Sequence, residues 1–163
     1  MNDQIDDLID IFAPEPQPEP LKLGRHALYN FTKAGGRGLA IIFFDNELGP
    51  IVKYYYLKRG KLISTLLKNK AFSVEMSIIG KYAEEIVLKN GVKALIYTFS
   101  FKNTDKNFIV VELSEKNDKK LLKSIINEIV SKLKSVKKAN STEISKTIRS
   151  VLEKKWRSSS SNL

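Results

Sequence analysis

The chain of 163 residues has no cysteine. That excludes disulfides, thiolate metal sites and thiol catalysis. It has a single histidine, His26, so any histidine-based metal site or triad would rest on one residue. No apolar run approaches the ~18 residues of a membrane-spanning helix. Proline is scarce outside one stretch: four of the five prolines are Pro14, Pro16, Pro18 and Pro20. Basic residues are missing from positions 1–20, which hold Asp3, Asp6, Asp7, Asp10, Glu15 and Glu19. The start MNDQIDDLID is acidic and lacks the basic opening and apolar core of a secretory signal. The expectation is a cytoplasmic protein.

What remains is a chain of two charge characters. The formal net charge is +10; the first 20 residues carry −6, so residues 21–163 carry +16. A basic body suits anionic partners such as nucleic acid or an anionic membrane surface. The plainer reading, that spread lysines only keep a domain in solution, stays open. An apolar share of 42% is enough for one packed core, and the length suits one domain with tails.

The acidic stretch divides in two. In DQIDDLIDIF, Ile5, Leu8, Ile9 and Phe12 fall at i, i+3, i+4 and i+7, an apolar helical face with aspartates opposite. A helix that short is not stable alone and gains structure by docking in a groove. APEPQPEP then favours an extended polyproline spacer of about 25 Å. The pair reads as a protein-docking motif on a stiff arm. Fold-back onto the chain's own basic body, or a solubilising tail, are the alternatives. Residues 21–37, with the sequence LGRHALYNFTKAGGRG running from Leu23 to Gly38, predict a short strand or helical turn on the domain edge, closed by a glycine turn. AGGRG is not a phosphate loop, since no GK[ST] follows and a strand rather than a helix comes next.

Leu39 to Phe44 is a continuous apolar run, as in a central strand buried on both faces. Asp45 to Pro50 supplies a turn, and Ile51 to Leu57 returns as a strand. Tyr54 and Tyr56 share one face of it and Tyr55 takes the other; an exposed face there would serve as an interaction surface. Residues 61–79 predict a helix with Ile63, Leu67, Ala71, Val74 and Ile78 on one side, although AFSVEMSI also alternates as a strand would. Glu85 to Lys89, the turn signal Asn90-Gly91, Val92 to Lys102 and Phe108 to Leu113 predict three more strands. Leu95, Tyr97, Phe99 and Phe101 share a face, read as core under helices rather than as a nucleic-acid stacking platform.

Two helices complete the pattern. Residues 118–136 carry an unbroken apolar stripe from Leu121 to Val136, with Asn117 or Asp118 as N-cap. Residues 143–156 follow, with Ser141 or Thr142 as cap and Ile144, Ile148, Val151, Leu152 and Trp156 inward. The lysines and arginines on and around these helices, Lys137, Lys138, Lys146, Arg149, Lys154 and Arg157, are the candidate polyanion-binding set. The last helix could lie on an anionic bilayer; packing on the sheet is the plainer expectation. RSSSSNL reads as a disordered end.

The chemistry-bearing residues do not assemble into a catalytic set. His26 has no acidic neighbour in sequence. Asp45 and Glu47 sit in a turn without the further oxygens of a calcium loop. No zinc spacing, Ser-His-Asp order or nucleotide loop occurs. The expectation is a non-enzyme that needs no cofactor or metal.

The order β-β-α-β-β-β-α-α, carried by IIFFDNELGPIVKYYY, LISTLLKNKAFSVEM, EEIVLKNGVKALIYTF, NFIVVELS and LLKSIINEIVSKL, resembles longin domains. These belong to the profilin-like group that includes roadblock domains. The resemblance covers residues 38–156, with 1–20 as tail, 21–37 as edge segment and 157–163 as C-terminal tail. It implies an α/β (α+β) fold with a five-stranded, mostly antiparallel sheet and packed helices. It also implies a scaffold or regulator that binds protein partners, among them a small GTPase, or that forms a homodimer.

Overall fold

The computed structural model describes residues 17–45, 47, 49–57, 84–87, 91–100 and 107–156. The elements are β1 (Glu19–Pro20), α1 (Arg25–Lys33), β2 (Gly36–Asp45), β3 (Gly49–Leu57), β4 (Glu84–Val87), β5 (Lys93–Phe99), β6 (Asn107–Leu113), α2 (Lys119–Leu133) and α3 (Ser141–Leu152). One six-stranded sheet runs in the order β1-β3-β2-β6-β5-β4. All pairings are antiparallel except β1 with β3, which is parallel. The mixed α/β class and the mostly antiparallel sheet match expectation.

The sheet has six strands rather than five because the end of the proline arm joins it. Glu19 and Pro20 pair with Tyr54 and Tyr55. Proline lacks an N–H, so it is tolerated at an edge where no ladder bond is required of it. The Leu21 N–H then donates to the Tyr55 carbonyl at 2.7 Å. The chain alternates over the next residues, burying Leu21 and Leu23 and exposing Lys22.

Residues 25–33 form a nine-residue helix rather than an edge strand or a single turn. Leu23, Ala27, Phe31 and Ala34 are all buried in the main core. Residues 19–37 therefore belong to the same packed body as the strands that follow. Gly36 explains how close α1 comes to the sheet: a Cβ there would lie within 3.0 Å of three atoms of the Phe31 ring. The ring rests on the bare backbone of β2.

The apolar run of β2 alternates between two clusters. Leu39 and Ile41 join Leu95, Phe99, Ile109 and Val111 under α1, α2 and α3. Ala40 and Ile42 join Val52, Ala94, Ile96, Phe108 and Val110 on the other face, in a cluster to which none of the three described helices contributes. β2 lies inside the sheet and is buried on both sides, as its continuous apolar run requires. A bulge shifts its register with β3 between Ile41 and Ile42. β4 and β5 pair as the hairpin that Asn90-Gly91 signals, and Gly91 takes the left-handed φ of +76° such turns use.

The Asp118 side chain caps α2 by accepting from the Leu121 N–H at 3.1 Å. The cap of α3 is Asn140, not Ser141 or Thr142: its Oδ1 accepts from the Glu143 N–H at 2.9 Å. Cap and helix thus start earlier than the apolar spacing alone indicates, and the helix ends at Leu152. Ile144, Ile148, Val151 and Leu152 are fully buried, so this helix spends its apolar face on the core, where it packs against α1 and α2. Trp156 lies beyond its end and donates from Nε1 to the Val151 carbonyl at 2.8 Å. The expected helix over 61–79 lies outside the described residues.

Candidate interaction surfaces

Concave surfaces open at several places among the described residues. The first lies between α1 and β3, a groove of about 580 Å³ lined by Arg25, Leu28, Tyr29, Thr32, Lys33 and Tyr56. α1 builds it by burying Ala27 and Phe31 inward, which turns Leu28 and Tyr29 toward the flank. Tyr29 is 63% exposed, one of two large apolar side chains so exposed among the described residues. The Lys33 ammonium sits 5.9 Å from its ring centroid, a cation–π distance. Phe31 meets Tyr56 edge to face at 6.1 Å and fixes its ring. Burial raises the Tyr56 phenol pKa above its ordinary value.

A second, broader cleft of about 640 Å³ lies where α1, α2 and the end of α3 meet, lined among others by His26, Asn30, Leu121, Ile125 and Trp156. Its floor is tied together by Asn30, whose Nδ2 donates to the Leu152 carbonyl at 2.6 Å. Asp118 and Glu153 bring carboxylates to it and Lys33, Lys154 and Lys155 bring cations, so its charge is mixed.

The third cleft, about 280 Å³, lies between the strap at Lys22 and the first half of α3, lined by Lys22, Ser141, Thr142, Ser145, Lys146 and Arg149. The Lys22 N–H donates to the Ser145 Oγ at 3.1 Å, binding strap to helix.

The candidate residues read from sequence are dispersed over these features. Tyr56 lines the first groove. Tyr54, on the same strand face, is only 8% exposed and belongs to the core. Its hydroxyl donates to the Ala139 carbonyl at 3.0 Å, and its ring meets Phe43 edge to face. Its pKa is raised by burial first and by the nearby Glu19 carboxylate second. As placed, Tyr54 offers no surface to a partner; it pins the loop between α2 and α3. Tyr97 and Phe99 face the helices, with the Tyr97 hydroxyl donating to the Lys123 carbonyl at 3.2 Å, so they are core and not a stacking platform.

Of the basic set, Lys137 and Lys138 are exposed in the loop between α2 and α3, and Lys146 and Arg149 are exposed on α3. Arg149 reaches Glu153 at 3.8 Å. Lys154 pairs with Glu128, which Lys132 also approaches at 3.8 Å. The basic residues therefore do not form one patch; Lys146 and Arg149 share the third cleft, where Lys22 joins them. Ile5, Leu8, Ile9, Phe12, Phe101 and Arg157 lie outside the described residues.

His26 lines the second cleft together with Asn30 and Lys33 of α1. Among the described residues no three histidine or acidic side chains come together as a metal would need. No described helix is long and apolar enough to cross a membrane. No protein-family model and no curated protein sequence matches this chain.

Proposed function

We propose that this chain is a non-enzymatic interaction domain of longin or roadblock type, a scaffold or regulator that docks an acidic amphipathic segment of a protein partner. The observation that carries the proposal is the groove between α1 and β3. It has an apolar floor of Leu28, Tyr29 and Tyr56, cations at Arg25 and Lys33, and no carboxylate in its lining. An apolar, aromatic centre with a charged rim is the usual anatomy of a peptide-binding groove. Tyr29 holds a large rigid surface in solvent at low entropic cost, as anchors in interfaces do. A small GTPase or a second copy of the chain falls within this reading. The N-terminal face of Ile5, Leu8, Ile9 and Phe12 would recruit a further partner.

The test is affinity capture from nuclease-treated native lysate, with bound proteins identified by mass spectrometry. The intact chain is compared with Tyr29→Glu plus Lys33→Glu, with a chain lacking residues 1–16, which keeps β1, and with the control Lys120→Glu on the exposed side of α2. A protein that the groove variant loses and the control retains supports docking at α1. Equal capture by both variants refutes it. Loss on truncation alone moves the docking function to the tail.

The second reading, electrostatic binding of nucleic acid or an anionic membrane, is favoured by the exposed Lys137, Lys138, Lys146 and Arg149. It requires affinity that falls steeply with salt. A flat salt response counts against it.

A further inference from the structure

The cleft between the strap and α3 differs from the other two in its chemistry. Its six lining residues are three cations and three hydroxyls, with no carboxylate and no aromatic ring. The cations come from distant parts of the chain, Lys22 from the strap and Lys146 and Arg149 from α3. Each is placed by the core and not by its own charge. Lys22 stands between buried Leu21 and Leu23, so the alternation of an extended segment turns it outward. Lys146 and Arg149 lie opposite the buried stripe Ile144, Ile148 and Val151. The Arg149 stem passes Gly24, whose missing Cβ would lie 3.6 Å from the Arg149 Cδ.

Like charges gathered by a fold repel one another, and a bound anion relieves that repulsion. The hydroxyls decide which anion fits. Ser145 is buried and accepts the Lys22 N–H, which leaves its own proton to donate. Ser141 and Thr142 add two more hydroxyl donors at the rim. A tetrahedral group with three acceptor oxygens uses cations and hydroxyl donors together, where a carboxylate presents two oxygens. The volume of about 280 Å³ lies at the small end of ligand sites, right for a headgroup and too small for a helix or a base stack. The Glu153 carboxylate at 3.8 Å from Arg149 is an exposed pair and a weak competitor.

We propose that this cleft is a binding site for a phosphate monoester group, held by Lys22, Lys146 and Arg149 with Ser145 as hydroxyl donor. The site stands independently of the docking groove. Both sources of that chemistry, a soluble phosphate ester and a lipid headgroup, would use the same residues.

The experiment is a ¹⁵N NMR titration of the full chain with inorganic phosphate and with glycerol phosphate, at ionic strength held constant with chloride. Co-sedimentation follows, with phosphatidylcholine vesicles with or without phosphatidic acid. Saturable shifts confined to the amides of Lys22, Ser145, Lys146 and Arg149 are expected. Lys146→Glu and Lys22→Glu should each weaken binding on the order of tenfold or more, since each removes a charge-assisted contact and adds a repulsion. Lys120→Glu makes the same charge change on α2 and should leave binding intact. All three positions are exposed, so circular dichroism should show the fold retained. Tighter binding to the phosphatidic acid vesicles than to glycerol phosphate assigns the site to a lipid headgroup, and the reverse assigns it to a soluble ester. Linear shifts spread over the lysines of α2, or equal weakening by Lys120→Glu, would overturn the proposal.

Discussion

The seat of Phe31 on Gly36 can be tested as a thermodynamic cycle, and it decides whether α1, which builds the docking groove, is an integral part of the core. Phe31 is 1% exposed, packed under Tyr56 and over the backbone of β2. Phe31→Ala removes a whole buried ring and should cost ~3–5 kcal/mol, of which ~1 kcal/mol is the edge-to-face pair with Tyr56. Gly36→Ala puts a methyl within 3.0 Å of three atoms of that ring, an overpacking that should cost ~1–3 kcal/mol. In the double variant the methyl enters space the ring has left. The cost of the double variant should then fall short of the sum of the two single costs by ~1–3 kcal/mol, since contacting residues are coupled. Urea unfolding followed by far-UV circular dichroism gives the four stabilities, with the slope checked for constancy. Total stability of a domain this size is about 5–15 kcal/mol. Phe31→Leu, a milder truncation, therefore runs in parallel in case the alanine variant does not fold. A coupling within ~0.5 kcal/mol of zero, or a Phe31→Ala cost under ~1 kcal/mol, would show that α1 is not seated on β2 as described.

Two further outcomes follow from the same packing. Burial raises the phenol pKa of Tyr54, Tyr56 and Tyr97 above the ordinary 10.0; these residues favour the folded chain below pH 10.0, and that preference is lost as pH climbs and the unfolded chain ionises first. An alkaline unfolding series read by tyrosinate absorbance should show cooperative loss of structure above that pH, and Tyr97→Phe should flatten the slope; an unchanged slope refutes the assignment. Asn140→Ala removes the acceptor for the Glu143 N–H and should lower stability by ~1 kcal/mol, measured by thermal unfolding, while Ser141→Ala should change it by less than half as much.

Elements with an uninterrupted period are legible in the amino-acid sequence. The stripe of α2 repeats every three to four residues along its whole length, and six of its residues are buried. The continuous apolar run of β2 suits only an inner strand. α1 is less visible because its start is Gly24, which provides no side-chain cap. Its signal is nevertheless present in Leu23, Ala27, Phe31 and Ala34, a helical stripe beginning ahead of the helix itself. The proline arm reads as extended, which it is at β1, and as a free spacer, which it is not there. Alternating proline specifies backbone shape but not pairing, and the bond that follows is made by Leu21 with Tyr55. Asn140 is hard to pick out as a cap because Ser141 and Thr142, equally good cap residues, follow directly. The third cleft is not legible at all: Lys22 and Ser145 are 123 positions apart, and only the path of the chain brings them together.

The strap of residues 19–24 links the edge of the sheet to α1 and α3. It closes the edge of the sheet on β3, buries Leu21 and Leu23, hands its Lys22 N–H to α3, and accepts the Leu28 N–H at the start of α1 through the Gly24 carbonyl at 3.1 Å. Once its leucines face inward, Lys22 must face α3 and Arg25 must begin the helix that borders the groove. The reversal of charge along the sequence, from acidic before residue 20 to basic after it, falls on this one segment. The strap thus carries Lys22, a cation of the cleft, and leads into Arg25, a cation of the groove. Charge reversal at Lys22 or Arg25 alters these surfaces without touching the core that positions them. Loss of binding in such a variant with unchanged unfolding then reports on recognition alone.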